Sequence, residues 1–267
     1  MHPVDEKRKH TEVNIWDAAE SARVFANFRQ YLTGWDEGRP HEGEVDYFRS
    51  GLTTPQFNGV VRVRSLSTIE GAVATTRAHL AGVPWWWWVG PDSPEDTPTA
   101  LEQSGAAELT AVPVMVRPLD RVTQLSDAPT DLRIEEVRDL DRLTELVRTY
   151  STSMGIPPGL EADMVRIESK REDNADIVRL AAVLDGRVVG TTVVITAQEV
   201  AGIFLVHVAE AHRRRGIGGA LTSAALQVGR ERGMRLAALV ASPAGEPLYR
   251  RFGFTTVSEY RIFTVPA

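Results

Sequence analysis

Residues 206–220, VHVAEAHRRRGIGGA, constrain the fold of this chain more than any other stretch. An apolar strand runs into a basic, glycine-bearing turn, and a helix follows. Ile217, Ala220, Leu221, Ala224 and Val228 recur at helical spacing, so the helix carries an apolar stripe for docking. A helix start exposes unpaired N–H groups and a partial positive charge. Glycine lets an anion approach the backbone closely, and Arg213, Arg214 and Arg215 add positive potential. The pattern Arg213-x-x-Gly216-x-Gly218 therefore reads as a pyrophosphate-binding turn. Two other phosphate loops fail: Leu221 occupies the third glycine position of a dinucleotide fingerprint, and no Lys-Ser or Lys-Thr follows as in a P-loop. The bland alternative is a solvated arginine run. Only Lys7, Lys9 and Lys170 of the 30 basic residues are lysine, so single arginines say little.

The rest of the composition narrows the chemistry. With no cysteine, the chain has no disulfide, thiolate metal site or cysteine nucleophile; no metal site is expected. A net charge of −6 disfavours broad nucleic-acid binding, which needs a basic face. No apolar run approaches the ~18 residues of a membrane span, and residues 1–10 lack a signal peptide's apolar core. The expectation is a cytoplasmic protein without a membrane partner. The 267 residues suffice for one large domain or two ordinary ones.

Periodicity predicts helices over 17–32 and 68–80, strands over 57–63, 85–89 and 111–116, and a helical stretch ending at Ser104. The polar segment 126–131 (SDAPTD) is the expected boundary, giving domains 1–125 and 126–267. Beyond it come a strand (132–137), a helix (140–150), a loop (151–159) and a helix (160–170). Strands 177–184 and 187–196 flank Asp185-Gly186, a hairpin signal. Then follow a strand (203–208), the helix 216–232, a strand (236–240), a short helix (245–252) and a closing strand (255–265). This order predicts an α/β fold around a mixed sheet.

The halves echo each other faintly. Ser93-Pro94 recurs as Ser242-Pro243, Gly105 as Gly253 and Pro118 as Pro266, while Gly82 and Trp85 fall opposite Gly233 and Leu236. The shared order of helix, Gly, strand, Ser-Pro, helix, Gly, strand suggests a duplication, with chance recurrence of Gly and Pro as the alternative. The run Trp85–Trp88 points rings to both faces if extended; burial on both sides is favoured over an interface or a substrate wall.

A second motif follows the basic turn. Ser242-Pro243-Ala244-Gly245-Glu246-Pro247-Leu248-Tyr249 leads into Arg250-Arg251-Phe252-Gly253-Phe254. Together, R-x-x-G-x-G and L-Y-x-x-x-G-F resemble the GNAT superfamily of N-acetyltransferases, over about half the chain. The whole chain resembles a tandem GNAT protein with a degenerate first half, since Arg64–Thr68 has no glycine and Ala100 or Leu101 stands opposite Tyr249.

The resemblance implies a mixed-sheet GNAT fold in which strands 203–208 and 236–240 splay around the pantetheine arm of acetyl-CoA, the expected co-substrate. Backbone groups at Val206, His207 and Val208 would hold the arm and polarise the thioester, a few kcal/mol of transition-state stabilisation. Arg213, Arg214, Arg215, Gly216, Ile217, Gly218 and Gly219 would bind the pyrophosphate, and Ser242 would lie near the sulfur. Tyr249 matches the acid that protonates the departing thiolate, with a half-buried anchor as the alternative. His207 is a candidate general base, with Glu161 and Glu199 as alternatives. The implied reaction is direct attack by an amine, on a small molecule or a protein, in a ternary complex. Glu161, Asp163 and Glu168 would suit a cationic acceptor. The competing class is a non-catalytic acyl-CoA-binding regulatory module. A homodimer stays open.

Overall fold

The computed structural model describes residues 17–36, 43–65, 69–120 and 128–265. The echo at Pro266, the loop 66–68 and part of the expected boundary at 126–131 lie outside them. Helix α1 (Ala18–Thr33) starts at Asp17, whose carboxylate accepts the Ala19 N–H. Strands β1 (Val45–Arg49) and β2 (Asn58–Val63) follow, then α2 (Ile69–His79), β3 (Trp86–Val89), α3 (Thr97–Gln103) and β4 (Ala107–Pro118). The second half runs β5 (Arg133–Glu136), α4 (Leu140–Met154), α5 (Glu161–Lys170), β6 (Ile177–Leu184), β7 (Arg187–Ala197) and β8 (Val200–Val208). It ends with α6 (Ile217–Glu231), β9 (Leu236–Val240), α7 (Glu246–Arg251) and β10 (Thr255–Thr264).

Four expectations change. Strand β1 was not anticipated, because Asp46 interrupts its apolar pattern; Asp46 is tied to Arg62 (2.6 Å) and Arg64 (2.5 Å) instead. Strand β4 starts four residues early, at Ala107, through a stretch with no buried face. Helix α4 continues through Ser151 to Met154 and stops at Gly155, whose φ of 68° reverses the chain. Strand β8 starts at Val200, after a tight turn in which Gln198 and Glu199 both have positive φ.

All ten strands form one sheet, in the order β1-β2-β3-β10-β4-β9-β8-β7-β6-β5. Exchanging β1 with β7, β2 with β8, β3 with β9 and β4 with β10 maps the order of these eight strands onto its reverse. Pair directions survive the exchange: β2–β3 and β8–β9 are parallel, while β3–β10, β9–β4 and β10–β4 are antiparallel. The sheet thus has a local dyad, centred at the Val112–Tyr260 pair. Each segment lends its last strand to the other, so β4 lies between β9 and β10. The helix ends repeat as well. The Ala106 N–H bonds Leu101 O (3.0 Å) as the Phe254 N–H bonds Tyr249 O (3.1 Å), across Gly105 and Gly253 at φ 88° and 81°. Leu101, fully buried, therefore stands opposite Tyr249.

Helices α2 and α3 cover one face of the sheet beside α6 and α7; α1, α4 and α5 cover the other. The tryptophan run divides between the faces. Trp87 is buried under α2 and α3, whereas Trp86 and Trp88 are only partly buried and Trp88 packs on Phe28 and Tyr260. Expected burial on both faces is therefore corrected, because α1 crosses only part of the second face. Among the described residues, no helix is long and apolar enough to cross a membrane.

Candidate functional site

Strands β8 and β9 pair over only three residues, Val200–Leu236, Ala201–Ala237 and Gly202–Ala238. Beyond Gly202 they part, leaving one edge of β8 unpaired from Ile203 to Val208. A bulge at Leu205 (φ 50°) bends β8 here, where its register against β7 shifts. Two threonines of β7 stabilise the bulge: Thr191 Oγ1 donates to Leu205 O (2.7 Å) and Thr192 Oγ1 to Phe204 O (3.2 Å).

Backbone direction in the gap follows from the ladder. The Ala209 N–H bonds Val189 O of β7 (2.9 Å). By strand alternation His207 also turns its backbone to β7, while Val206 and Val208 present theirs to the open gap. The side chains of Val206 and Val208 pack toward Ile217 and Leu221 of α6. Gly190 keeps room beneath this segment, since a Cβ there would crowd His207 O at 3.0 Å.

The basic turn sits at the end of β8. Arg213 folds back to donate Nε–H to Val208 O (3.2 Å), and Arg215 lies 3.3 Å from His212 Nδ1. Arg214 and Gly216 take φ values of 62° and 76°, which turns the chain sharply into α6. The helix begins at Gly216 with no side-chain cap, so the first N–H groups, at Ile217, Gly218 and Gly219, remain available to an anion. Arg213, Arg214 and Arg215 are all exposed. Gly218 and Gly219 lie against Leu248 of α7, so the two motifs meet in space.

Tyr249 is buried (7% exposed), edge-on to Phe254, and a Cβ on Gly245 would meet its ring at 3.0 Å and Ser242 Oγ at 3.3 Å. Burial pushes its phenol up to about 12. Ser242 is exposed, and its Oγ accepts the Gly245 N–H (3.2 Å). His207 is pushed down to about 4, first by burial and then by Arg213. At neutral pH it is an uncharged imidazole and a weak base.

The acids stand elsewhere. Glu199 lies in the β7–β8 turn, at the closed end of the gap, paired with Arg23 and 3.5 Å from Arg235. Glu161 accepts the Gly159 N–H (2.8 Å), and such backbone hydrogen bonds hold its carboxyl low. Asp163 is 3.5 Å from Arg166 on the same helix. Glu168 is corrected most plainly: it is buried (1% exposed), bonded to Arg179 (2.6 Å) and Tyr150 (3.3 Å), and serves the core rather than an acceptor. Among the described residues, no group of three or more His, Asp or Glu is placed to hold a metal.

The first segment repeats this frame, with a side-chain bond across the ends of its strands. Strands β2 and β3 pair at Gly59–Trp86 and Val60–Trp87. Ser93, the counterpart of Ser242, is buried there, and its Oγ accepts the Val63 N–H (3.1 Å). That bond ties the end of β2 to the chain leaving β3.

Residues 140–254 match the model of the acetyltransferase (GNAT) family. A GCN5-related N-acetyltransferase from Kribbella flavida superposes with a TM-score of 0.72 at 16% identity, over 92% of this chain and 95% of that one. One from Sphaerobacter thermophilus gives 0.60 at 20% identity, over 82% and 75%. A tandem GNAT protein from the clavulanic acid biosynthesis pathway gives 0.56 at 15% identity, over 94% and 98%. No curated protein matches the chain. At these identities the structures establish a shared fold that spans both segments, and the family match establishes that residues 140–254 form a domain of the acetyltransferase (GNAT) family.

Proposed function

We propose that the chain is an N-acetyltransferase that moves an acetyl group from acetyl-CoA to an amine, with both substrates bound together. The observation that carries this reading is the parting of β8 from β9 after Gly202, beside an uncapped, arginine-flanked helix start. The residues suit the co-substrate. Arg213, Arg214 and Arg215 with the N–H groups of Ile217, Gly218 and Gly219 would hold the pyrophosphate. The backbone of Val206 and the Val208 N–H, which face the gap, would hold the pantetheine amides and the thioester carbonyl. Removing one such carbonyl donor typically costs about 3 kcal/mol in the transition state.

Tyr249 stays protonated at working pH. A thiol titrates near ~8.5, well below this phenol, so Tyr249 acts by donating a hydrogen bond to sulfur as the C–S bond breaks. The chain has no cysteine, so the acetyl group passes straight to the amine without a cysteinyl intermediate. His207, at about 4, does not strip an alkylammonium; the acceptor, small molecule or protein, enters as the free amine or loses its proton through water. The Ser93–Val63 bond supports one co-substrate site per chain.

Weak basicity at His207, with Glu161 and Glu168 engaged elsewhere, favours one second reading: a non-catalytic acyl-CoA-binding regulatory module. Calorimetric titration with acetyl-CoA tests both. One site per chain, lost in a folded Gly218→Glu variant, is expected; no binding removes both readings, and two sites remove the account of the first segment. Thiol release with an amine panel then separates enzyme from sensor.

A further inference from the structure

The opening between β8 and β9 is gripped by a helix from the far end of the chain. Asn27 of α1 is buried (1% exposed). Its Nδ2 donates toward Val200 O (3.0 Å), Ala197 O (3.0 Å) and Ile195 O (3.3 Å). Its Oδ1 fills the space that a Cβ on Gly202 would take. Gly202 is the last residue of β8 still paired with β9. Asn27 therefore plugs the fork at the point of parting.

Two residues further along β8, the Phe204 ring lies on Tyr31 of α1, with centroids 3.7 Å apart and planes at 15°. Phe28, one helical turn before Leu32, stands 5.7 Å from the same ring. Thr191 and Thr192 hold the backbone here from the β7 side. The strand is thus fixed from one face and from one edge, and its other edge is free. An amide suits the fork because it supplies hydrogens to several carbonyls; a smaller side chain leaves buried acceptors without a partner, and a carboxylate sets like charge against them.

We infer that α1 sets the width of the co-substrate gap: Asn27 anchors β8 at its parting point, and Tyr31 with Phe28 holds Phe204 clear of β9. These are positioning residues of a site whose binding groups all lie beyond residue 200. The inference rests on the reading of the gap as the acetyl-CoA site.

The test uses the full chain, titrated with acetyl-CoA and assayed for turnover, at a temperature where circular dichroism shows each variant folded. Asn27→Ser and Tyr31→Leu are expected to lower kcat/KM by about 10- to 100-fold, since small misplacements near the reacting atoms have costs of that order. Tyr31→Phe keeps the ring and should keep wild-type values. Variants that lose thermal stability but retain wild-type affinity and turnover when folded would overturn the inference. If Tyr31→Leu does not fold, Phe204→Leu removes the same stack from the strand side and is read the same way. A wild-type chain that ignores acetyl-CoA refutes the reading of the gap instead. Amide hydrogen exchange at residues 203–208 then still decides the role of α1: faster exchange in Asn27→Ser supports it, and unchanged exchange overturns it.

Discussion

Strand β4 belongs by sequence to the first segment and by position to the second. Deleting residues 1–127 therefore removes the common neighbour of β9 and β10. Val114, Met115, Val116 and Leu119, each at most 3% exposed, leave the core with it. Burying such side chains is worth about 1.5–3 kcal/mol each, together roughly 6–12 kcal/mol. A whole domain is typically stable by only ~5–15 kcal/mol. The ladder bonds from Val114–Pro118 to β9, and those along β10, are lost as well. A fragment of residues 128–267 should therefore show no cooperative thermal transition by circular dichroism and no acetyl-CoA binding. Adding a synthetic peptide of residues 105–120 should restore part of the transition. A fragment that melts cooperatively near the full-length temperature would refute the reasoning.

Other perturbations have definite signs. Tyr249→Phe should lower kcat with little change in acetyl-CoA affinity by calorimetry; unchanged kcat would assign Tyr249 to packing alone. His207 has a folded pKa of about 4 against an ordinary 6.5. The unfolded chain then binds more protons between these values, so stability is lost as pH falls through this window, by roughly 3 kcal/mol in all. Denaturant melts of wild type and His207→Gln from pH 7 to 4 should diverge by that order; parallel curves would contradict it. Glu168→Ala strands Arg179 in the core and should cost about 3–5 kcal/mol in urea unfolding. Ser93→Ala frees the Val63 N–H and should slightly destabilise the chain, while titration still finds one acetyl-CoA site.

The parts of the site that lie on one local stretch were readable from the residues. The turn at Arg213–Gly219 depends on glycine conformations and a helix start, both of which leave local marks. The motif around Tyr249 does too, and the structure brings it against Gly218 and Gly219 through Leu248. What escaped depends on partners far away in sequence. Asp46 hid β1 because its ion pairs come from the next strand. Ser151 and Thr152 resemble a loop, yet Ser151 is buried in α4. Glu168 looked like a surface acid because Arg179 stands on another element. The period of β4 and β10 marks them as strands but does not say which neighbour each will choose. Asn27 offered no signal beyond a polar residue beside an apolar stripe, since the glycine it covers is 175 residues away.

The dyad at Val112–Tyr260 has the form of two subunits that have traded an arm, here joined in one chain. A separate pair of such subunits would assemble at a rate and to an extent set by their concentration. Joined by the link between β4 and β5, the halves meet at a local concentration fixed by that link. Dilution cannot part them, and neither half can lose its borrowed strand without the other losing its own. The first half, with its strand ends tied through Ser93, is the permanent partner of the half that carries the basic turn.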